Sequence, residues 1–450
     1  MKWIVFLAAI VATLPLTILL RNGRSTRHFV VMLLVALPFV IGLFPKSQIA
    51  LSGDPAWPGY SQGFEVSILD LVACSLLFSL PERLGFIPFK SSFILYIAAV
   101  GLSALNSHAI EPSLWYAWQL LRMLLFFIVL ARICRDEDGS EAVIRGLALG
   151  ICLEAVVVLW QRFVIHNPHT PGAFFHQNAL GFAMHIAILC VFAVALNDRK
   201  NWKYFAVTFL GIICDVFTAS RASLGLIGFG LILLLAISSA RRWTAQKARV
   251  LTFVLVGTIL MTPIAIRTFE IRAVAFGIET DDGRTAMNNG ARMVAGAYPF
   301  GVGANDFVPV AQKEGYYWRA GVRYPNYNIS PHNAYWTTLA ETGYFGLFSF
   351  IFWLALPAIV AVSCGWPNRK DARGDILLGL SISILLIVIH SEYEWLILSE
   401  DLQYILVTGM ALIGGLACQL GYWPAMTSKM LMRNADQGRE RQQHLVRRRA

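Results

Sequence analysis

The stretch PHNAYWTTLAETGYFGLFSFIFWLALPAIVAV, Pro331 to Val362, decides the fold. It opens on a histidine and an asparagine, then turns apolar, with Glu341 as its only acidic or basic side chain after His332. An apolar helix of about 20 residues crosses a bilayer core of about 30 Å, and a helix satisfies its own backbone hydrogen bonds in lipid. Residues 335–363 therefore predict a membrane-crossing helix with a titratable ring at its mouth.

Working outward, comparable apolar runs recur at 3–20, 29–44, 64–80, 91–106, 114–131, 143–163, 177–196, 203–219, 222–238, 250–266, 376–390 and 403–422. With 57% hydrophobic residues, 14% charged residues and a mean hydropathy of +0.59, the chain reads as an all-α polytopic integral membrane protein of about 12–13 transmembrane helices. The first run, with its lysine, looks like a secretory signal, but no small-residue cleavage site precedes the arginine-rich segment 21–28, so a retained helix is expected.

Charge orients the chain. The connectors at 21–28, 81–90, 132–145, 197–203, 239–249 and 364–375, with the tail from 423, hold 25 of the 37 Lys and Arg residues, whereas the short loops 45–63, 106–113 and 164–176 hold one lysine. The positive-inside rule makes the first set cytoplasmic. That bias and the basic tail account for the net charge of +10, so no nucleic-acid partner is called for; the tail fits a solvated or lipid-contacting end. The seven cysteines form no CxxC pair, which points to neither a disulfide framework nor a zinc site. His166, His169 and His176 match no strong metal spacing and have no carboxylate among them.

The expected organisation is helices 1–10 over residues 1–266, a large outer loop over 267–333, helices 11–13 over 334–422 and a cytoplasmic tail over 423–450. A connector as long as 267–333 is functional or disordered; its tryptophan and tyrosines favour a folded one. Within it Arg284, Asn288 and Arg292 recur at steps of four, with Met287, Ala291, Val294 and Ala295 on another face, which predicts an amphipathic helix. A helix lying on lipid phosphates and a substrate site both fit that pattern.

Charges inside spans need a reason, because one at the bilayer centre costs at least about 2.5–3.5 kcal/mol. Arg122, Arg162 and Arg221 all fall in the outer half of the membrane by this topology. Each alone is explained by snorkelling or by pairing with Glu154 or Asp215. Three at one level, beneath a loop with two more arginines, suit a lipid pyrophosphate, whose oxygens a guanidinium binds bidentately.

Several short motifs then stand in order: TASRASLG (218–225), GR (283–284), YPFGVGANDF (298–307) and PHNAYWTTLAETGYFG (331–346), with GAFFHQNALG (172–181) before them. Together they resemble the O-antigen ligase and polymerase superfamily of integral membrane glycosyltransferases. Asn178 matches that family's asparagine at the start of an earlier helix, while His176-Gln177 departs from its commoner Asn-Pro. The resemblance is specific from about 172 to 350; before that it is topology alone.

The resemblance implies about twelve helices with a large periplasmic loop in a bacterial inner membrane. It also implies transfer of a glycan from undecaprenyl pyrophosphate to a glycan or lipid A core acceptor, with no metal and no nucleotide sugar as cofactor. Arg221, Arg284 and His332 stand at the positions the family uses for activity. The charge argument adds Arg122, Arg162 and Arg292, and Asn178, Asn333 and Glu341 are further polar candidates for substrate binding. In such a transfer the arginines stabilise the leaving pyrophosphate, and His332 either takes the acceptor's proton or only orients its hydroxyl.

Two other classes fit the helix count. A transporter, whether a lipid-linked oligosaccharide flippase or a small-anion carrier, would place its polar groups near the midplane on paired repeats; here they gather at the outer edge and the halves differ. A non-catalytic subunit of an envelope polysaccharide assembly would tolerate lysine in place of the arginines.

Overall fold

The computed structural model describes residues 2–44, 47–80, 86–197, 202–276 and 281–423. The basic tail beyond Trp423 lies outside the described residues, as do parts of the connectors at 81–90 and 197–203.

Helices follow the apolar runs: α1 Lys2–Asn22, α2 Arg24–Ala36, α3 Ile68–Ser79, α4 Lys90–Ser103, α5 Ile110–Ile133, α6 Glu137–Phe163, α7 Gln177–Ala195, α8 Trp202–Thr218, α9 Arg221–Arg241, α10 Ala245–Phe276, α11 Asp281–Ala297, α12 Phe307–Lys313, α13 Tyr316–Arg319, α14 Ala334–Gly365, α15 Ala372–His390 and α16 Glu400–Gln419. Among the described residues, α5, α6, α7, α9, α14, α15, α16 and the Ala245–Ile264 part of α10 are long and apolar enough to cross a membrane, and Phe6–Asn22, Ile68–Ser79 and Lys90–Asn106 are shorter apolar helices. The chain is an all-α polytopic membrane protein.

Two expected spans are interrupted. The run 64–80 begins as strand β2, Gly63–Ser67, antiparallel to β1, Gln48–Gly53. Ser67 then caps α3 through a capping box with Asp70, and such a polar stop ends the strand and starts the helix in one residue. The run 29–44 leaves α-helix at Ala36, where Pro38 opens a 3-10 turn; proline's missing N–H breaks the ladder there. Helix α10 runs past the expected end at 266 as far as Phe276.

The bundle is organised around α7, nearly all of which is buried. It packs against α6, α8, α9, α15 and α16. Small residues permit the close approach: a Cβ on Gly181 would collide with the Ser223 hydroxyl at the start of α9. The first turns of α7 and α9 therefore lie side by side, and with them the residues Asn178 and Arg221.

The loop end has its own core. Met287, Ala291 and Val294 of α11 pack with Phe307, Tyr317, Leu339 and Ala340, so the apolar face of the amphipathic helix covers α14 rather than facing lipid.

Helix α14 is broken at Gly343, whose φ of 67° lies in the left-handed region that glycine adopts without steric cost. The turn of YPFGVG fills the break. Val302 N–H donates to Ala340 O at 3.0 Å, Gly303 N–H to Glu341 O at 2.9 Å, and Tyr344 N–H to Pro299 O at 3.3 Å. A broken helix at membrane depth survives where protein takes up the freed backbone groups: the first two bonds take up carbonyls of α14 and the third its Tyr344 N–H. Two separate glycine-rich motifs of the sequence thus form one joint. A Cβ at Gly301 would overlap the Glu341 backbone, and one at Gly343 the Pro299 carbonyl.

Candidate active site

Asn333 caps α14, its Oδ1 accepting from Tyr335 N–H and Trp336 N–H, both at 2.9 Å. Its amide donates to the Glu392 carboxylate at 2.8 Å, and Ala334 N–H donates to Ser391 O at 2.9 Å. These bonds clamp the mouth of α14 to the turn after α15 and set His332 over that turn.

There His332 Nδ1 lies 3.0 Å from Glu394 Oε2. The other carboxylate oxygen accepts from Asn178 Nδ2 at 2.6 Å and from the Arg284 guanidinium at 3.3 Å. One buried carboxylate, 3% exposed, so gathers the starts of α7, α11 and α14. Burial by itself pushes the Glu394 carboxyl up, but the His332 hydrogen bond and the neighbouring charges of His332 and Arg284 hold it below the ordinary carboxylate range. An ionised carboxylate only accepts, so His332 Nδ1 is the donor. In the neutral ring the lone pair is then on Nε2, and the His332 side chain, 21% exposed, keeps access to solvent.

Arg284 is one-third exposed while touching Glu394. Arg221, first residue of α9, is exposed beside the α7 turn that carries Asn178. Arg292 lies over the Trp336 ring at 4.7 Å, a cation–π contact that pins α11 to α14. His176 caps α7, its Nδ1 accepting from Asn178 N–H at 3.2 Å.

The other sequence candidates lie in different settings. Arg122 is buried in a network of its own: Nε to Asp70 at 2.6 Å, and its two terminal nitrogens to Glu400 at 2.8 and 2.7 Å. It is paired with carboxylates of α3 and α16, neither of them Glu154 nor Asp215. Arg162 reaches back to the carbonyls of Asn167 and Pro168 at 3.5 and 3.3 Å and over the Phe217 ring at 5.3 Å. The three arginines that the sequence sets at one level therefore have three different settings, because position along a helix is legible in a sequence and partners are not.

Glu341 forms a second buried polar centre below the joint. It accepts from the Tyr60 hydroxyl at 2.5 Å and from Phe307 N–H at 3.4 Å. Asn305 N–H donates to the Tyr60 hydroxyl at 3.2 Å, and the Asn305 amide donates to Ser61 O at 2.6 Å. These bonds dock the loop onto residues 60–61.

Glu394, in IHSEYEWL (389–396), is not among the residues that the sequence singles out. His390 is turned into the bundle, 3.0 Å from His185, and Glu392 serves the cap of α14. The available signal was a carboxylate four residues after His390, directly before a tryptophan. Among the described residues, no group of three or more His, Cys, Asp or Glu side chains is placed to hold a metal ion.

A helical bundle with a polar cluster of histidine, arginines and a buried carboxylate at one end defines a multi-pass membrane protein with a candidate site for an anionic substrate. Residues 205–351 match the family model described as O-antigen ligase. The match supports the resemblance to the O-antigen ligase and polymerase superfamily, and that family implies a membrane glycosyltransferase of the ligase or polymerase type. Arg221, Arg284 and His332 fall inside the matched segment; Asn178 and Glu394 fall outside it. No curated protein matches the chain.

Proposed function

We propose that the chain transfers a glycan from undecaprenyl pyrophosphate to an acceptor hydroxyl, without a metal, on the periplasmic side of a bacterial inner membrane. The observation that carries this reading is the convergence of His332 and Arg284 on Glu394.

In the proposed reaction the acceptor oxygen attacks the anomeric carbon and the bond to the pyrophosphate oxygen breaks. The hydroxyl proton passes to His332 Nε2, and ionised Glu394 stabilises the imidazolium that forms, the role a carboxylate plays behind a catalytic histidine. The electron pair of the broken bond stays on undecaprenyl pyrophosphate, where Arg284 and Arg221 offset the growing charge. Asn178 holds the carboxylate from its other side. Arg292, Asn333 and Glu341 support the scaffold: the first pins α11, the second caps α14, the third docks the loop. The scarcity of lysine and arginine in the short loops 45–63, 106–113 and 164–176 supports this sidedness.

The test is to replace the chromosomal gene by a His332→Ala copy, and separately to delete it, and to run the surface polysaccharide on a gel. Lost long chains with a single repeat retained identify a polymerase; long lipid-linked chains that fail to attach identify a ligase. Normal polysaccharide from a His332→Ala chain present at wild-type level overturns the proposal. Lost export with no outward-facing intermediate favours the carrier.

A further inference from the structure

Next to the carboxylate cluster stands a feature that the reaction above does not use. Phe175, directly before the cap of α7, stacks on Trp395, directly after Glu394: the ring centroids are 6.2 Å apart and the planes 25° apart. Trp395 rests on Tyr60 at 6.3 Å and 32°, and Tyr60 meets the fully buried Tyr116 edge-on at 4.7 Å. A row of rings thus rises from the bundle core to Phe175, which is 58% exposed.

Exposed aromatics at a membrane boundary are often interfacial anchors. This row differs in being tied down. The Tyr60 hydroxyl is bound to Glu341, and Trp395 follows a residue held by three hydrogen bonds. The ring on which Phe175 stacks is therefore held in place. Polar side chains border it: His176 and Gln177 follow Phe175, and exposed Glu392 and Tyr393 come shortly before Trp395. A flat apolar face rimmed by hydrogen-bonding groups suits a pyranose ring, which has a C–H face and hydroxyl edges; a prenyl chain would call for apolar walls throughout.

We propose that the Phe175–Trp395 stack is a glycan subsite that seats a sugar ring against its face, beside the reacting centre. The inference rests on the glycosyltransferase reading and deepens it by naming residues that hold carbohydrate rather than pyrophosphate. The sugar–ring contact adds affinity without charge, so it acts on glycan binding and not on the leaving group.

The experiment uses the full chain in detergent, where no bilayer boundary exists to be anchored in. The probe is the lipid-free repeat-unit oligosaccharide released from the host's own surface polysaccharide, followed by saturation-transfer NMR and by calorimetric titration. Phe175→Leu and Trp395→Leu are expected to weaken binding about tenfold or more, while Phe175→Tyr and Trp395→Phe, which keep a ring, retain most of it. Trp160→Leu, removing an exposed tryptophan at the end of α6, serves as the anchor control and should bind as wild type.

Unchanged affinity in both leucine variants overturns the subsite, as does an equal loss in Trp160→Leu. Loss of farnesyl pyrophosphate binding in place of oligosaccharide binding also overturns it, in favour of a tail groove. Glycan transfer is assayed in parallel. A wild-type chain that transfers glycan, with leucine variants that still bind, removes the subsite alone; a wild-type chain that neither transfers nor binds removes the enzyme reading as well.

Discussion

His332 and Glu394 are 62 residues apart in sequence and 3.0 Å apart in space. Two separate joints bring this about: the Asn333 cap that ties α14 to the turn after α15, and the buried carboxylate that faces three helix starts at once.

Glu394→Gln keeps the shape of the anchor and removes its charge. Glycan transfer should fall about 10²–10⁴-fold, the usual range for losing general-base assistance, while the amount of inserted protein stays near wild type. A rate within about threefold of wild type, measured in membranes of matched protein content, would assign His332 an orienting role only.

The same residue predicts a pH dependence of stability. Its folded carboxyl lies below the ordinary range, so the stabilisation from His332 and Arg284 is present above that range and is lost as pH falls through the folded value. The melting-temperature gap between wild type and Glu394→Gln should hold from neutrality to about pH 5 and narrow as pH falls below the ordinary carboxylate range of about 4.

Arg284→Lys and Arg221→Lys retain charge and lose the planar fork. If both bind pyrophosphate oxygens, transfer should drop about tenfold or more for each, since an ammonium cannot reproduce bidentate contact. Full activity in both lysine variants would favour a subunit without catalysis.

Arg122→Leu is predicted to act on stability instead. The side chain is 4% exposed and bound to Asp70 and Glu400, and removing one partner of a buried ion pair costs roughly 3–5 kcal/mol. Poor accumulation and a lowered melting temperature are expected. An inserted, normally stable variant with weakened donor binding would place Arg122 on the substrate instead.

Asp306 offers a contrast of sign. Burial raises its carboxyl to about 6, against the Ser107 hydroxyl that donates to it at 3.0 Å. Its neutral form fits the fold, so stability falls as pH rises through about 6. Asp306→Asn should therefore melt higher than wild type at pH 8 and equal to it at pH 4 or below.

How much was legible before folding varies from residue to residue. The spans at 143–163, 177–196 and 335–363 appear nearly as read, because an apolar run of bilayer length admits little but a helix. The run 64–80 was misread: its composition is as apolar as the others, and only the Ser67 capping box and the pairing of β1 with β2 reveal that it changes structure midway. The cationic stripe of α11 left lipid and substrate open; the packing of its other face on α14 narrows the choice.

The sequence alone determined that this is a helical membrane protein, which of its short loops are poor in basic residues, and that His332 stands at the mouth of a long apolar helix. These are properties of runs and of spacing, which survive in one dimension. Only the tertiary structure decided that Arg122 answers to Asp70 and Glu400, that Glu341 holds a loop, and that Glu394 is the carboxylate behind His332. A buried charge is governed by what stands within a few ångströms of it, and those neighbours come from helices whose order in space the linear chain does not state.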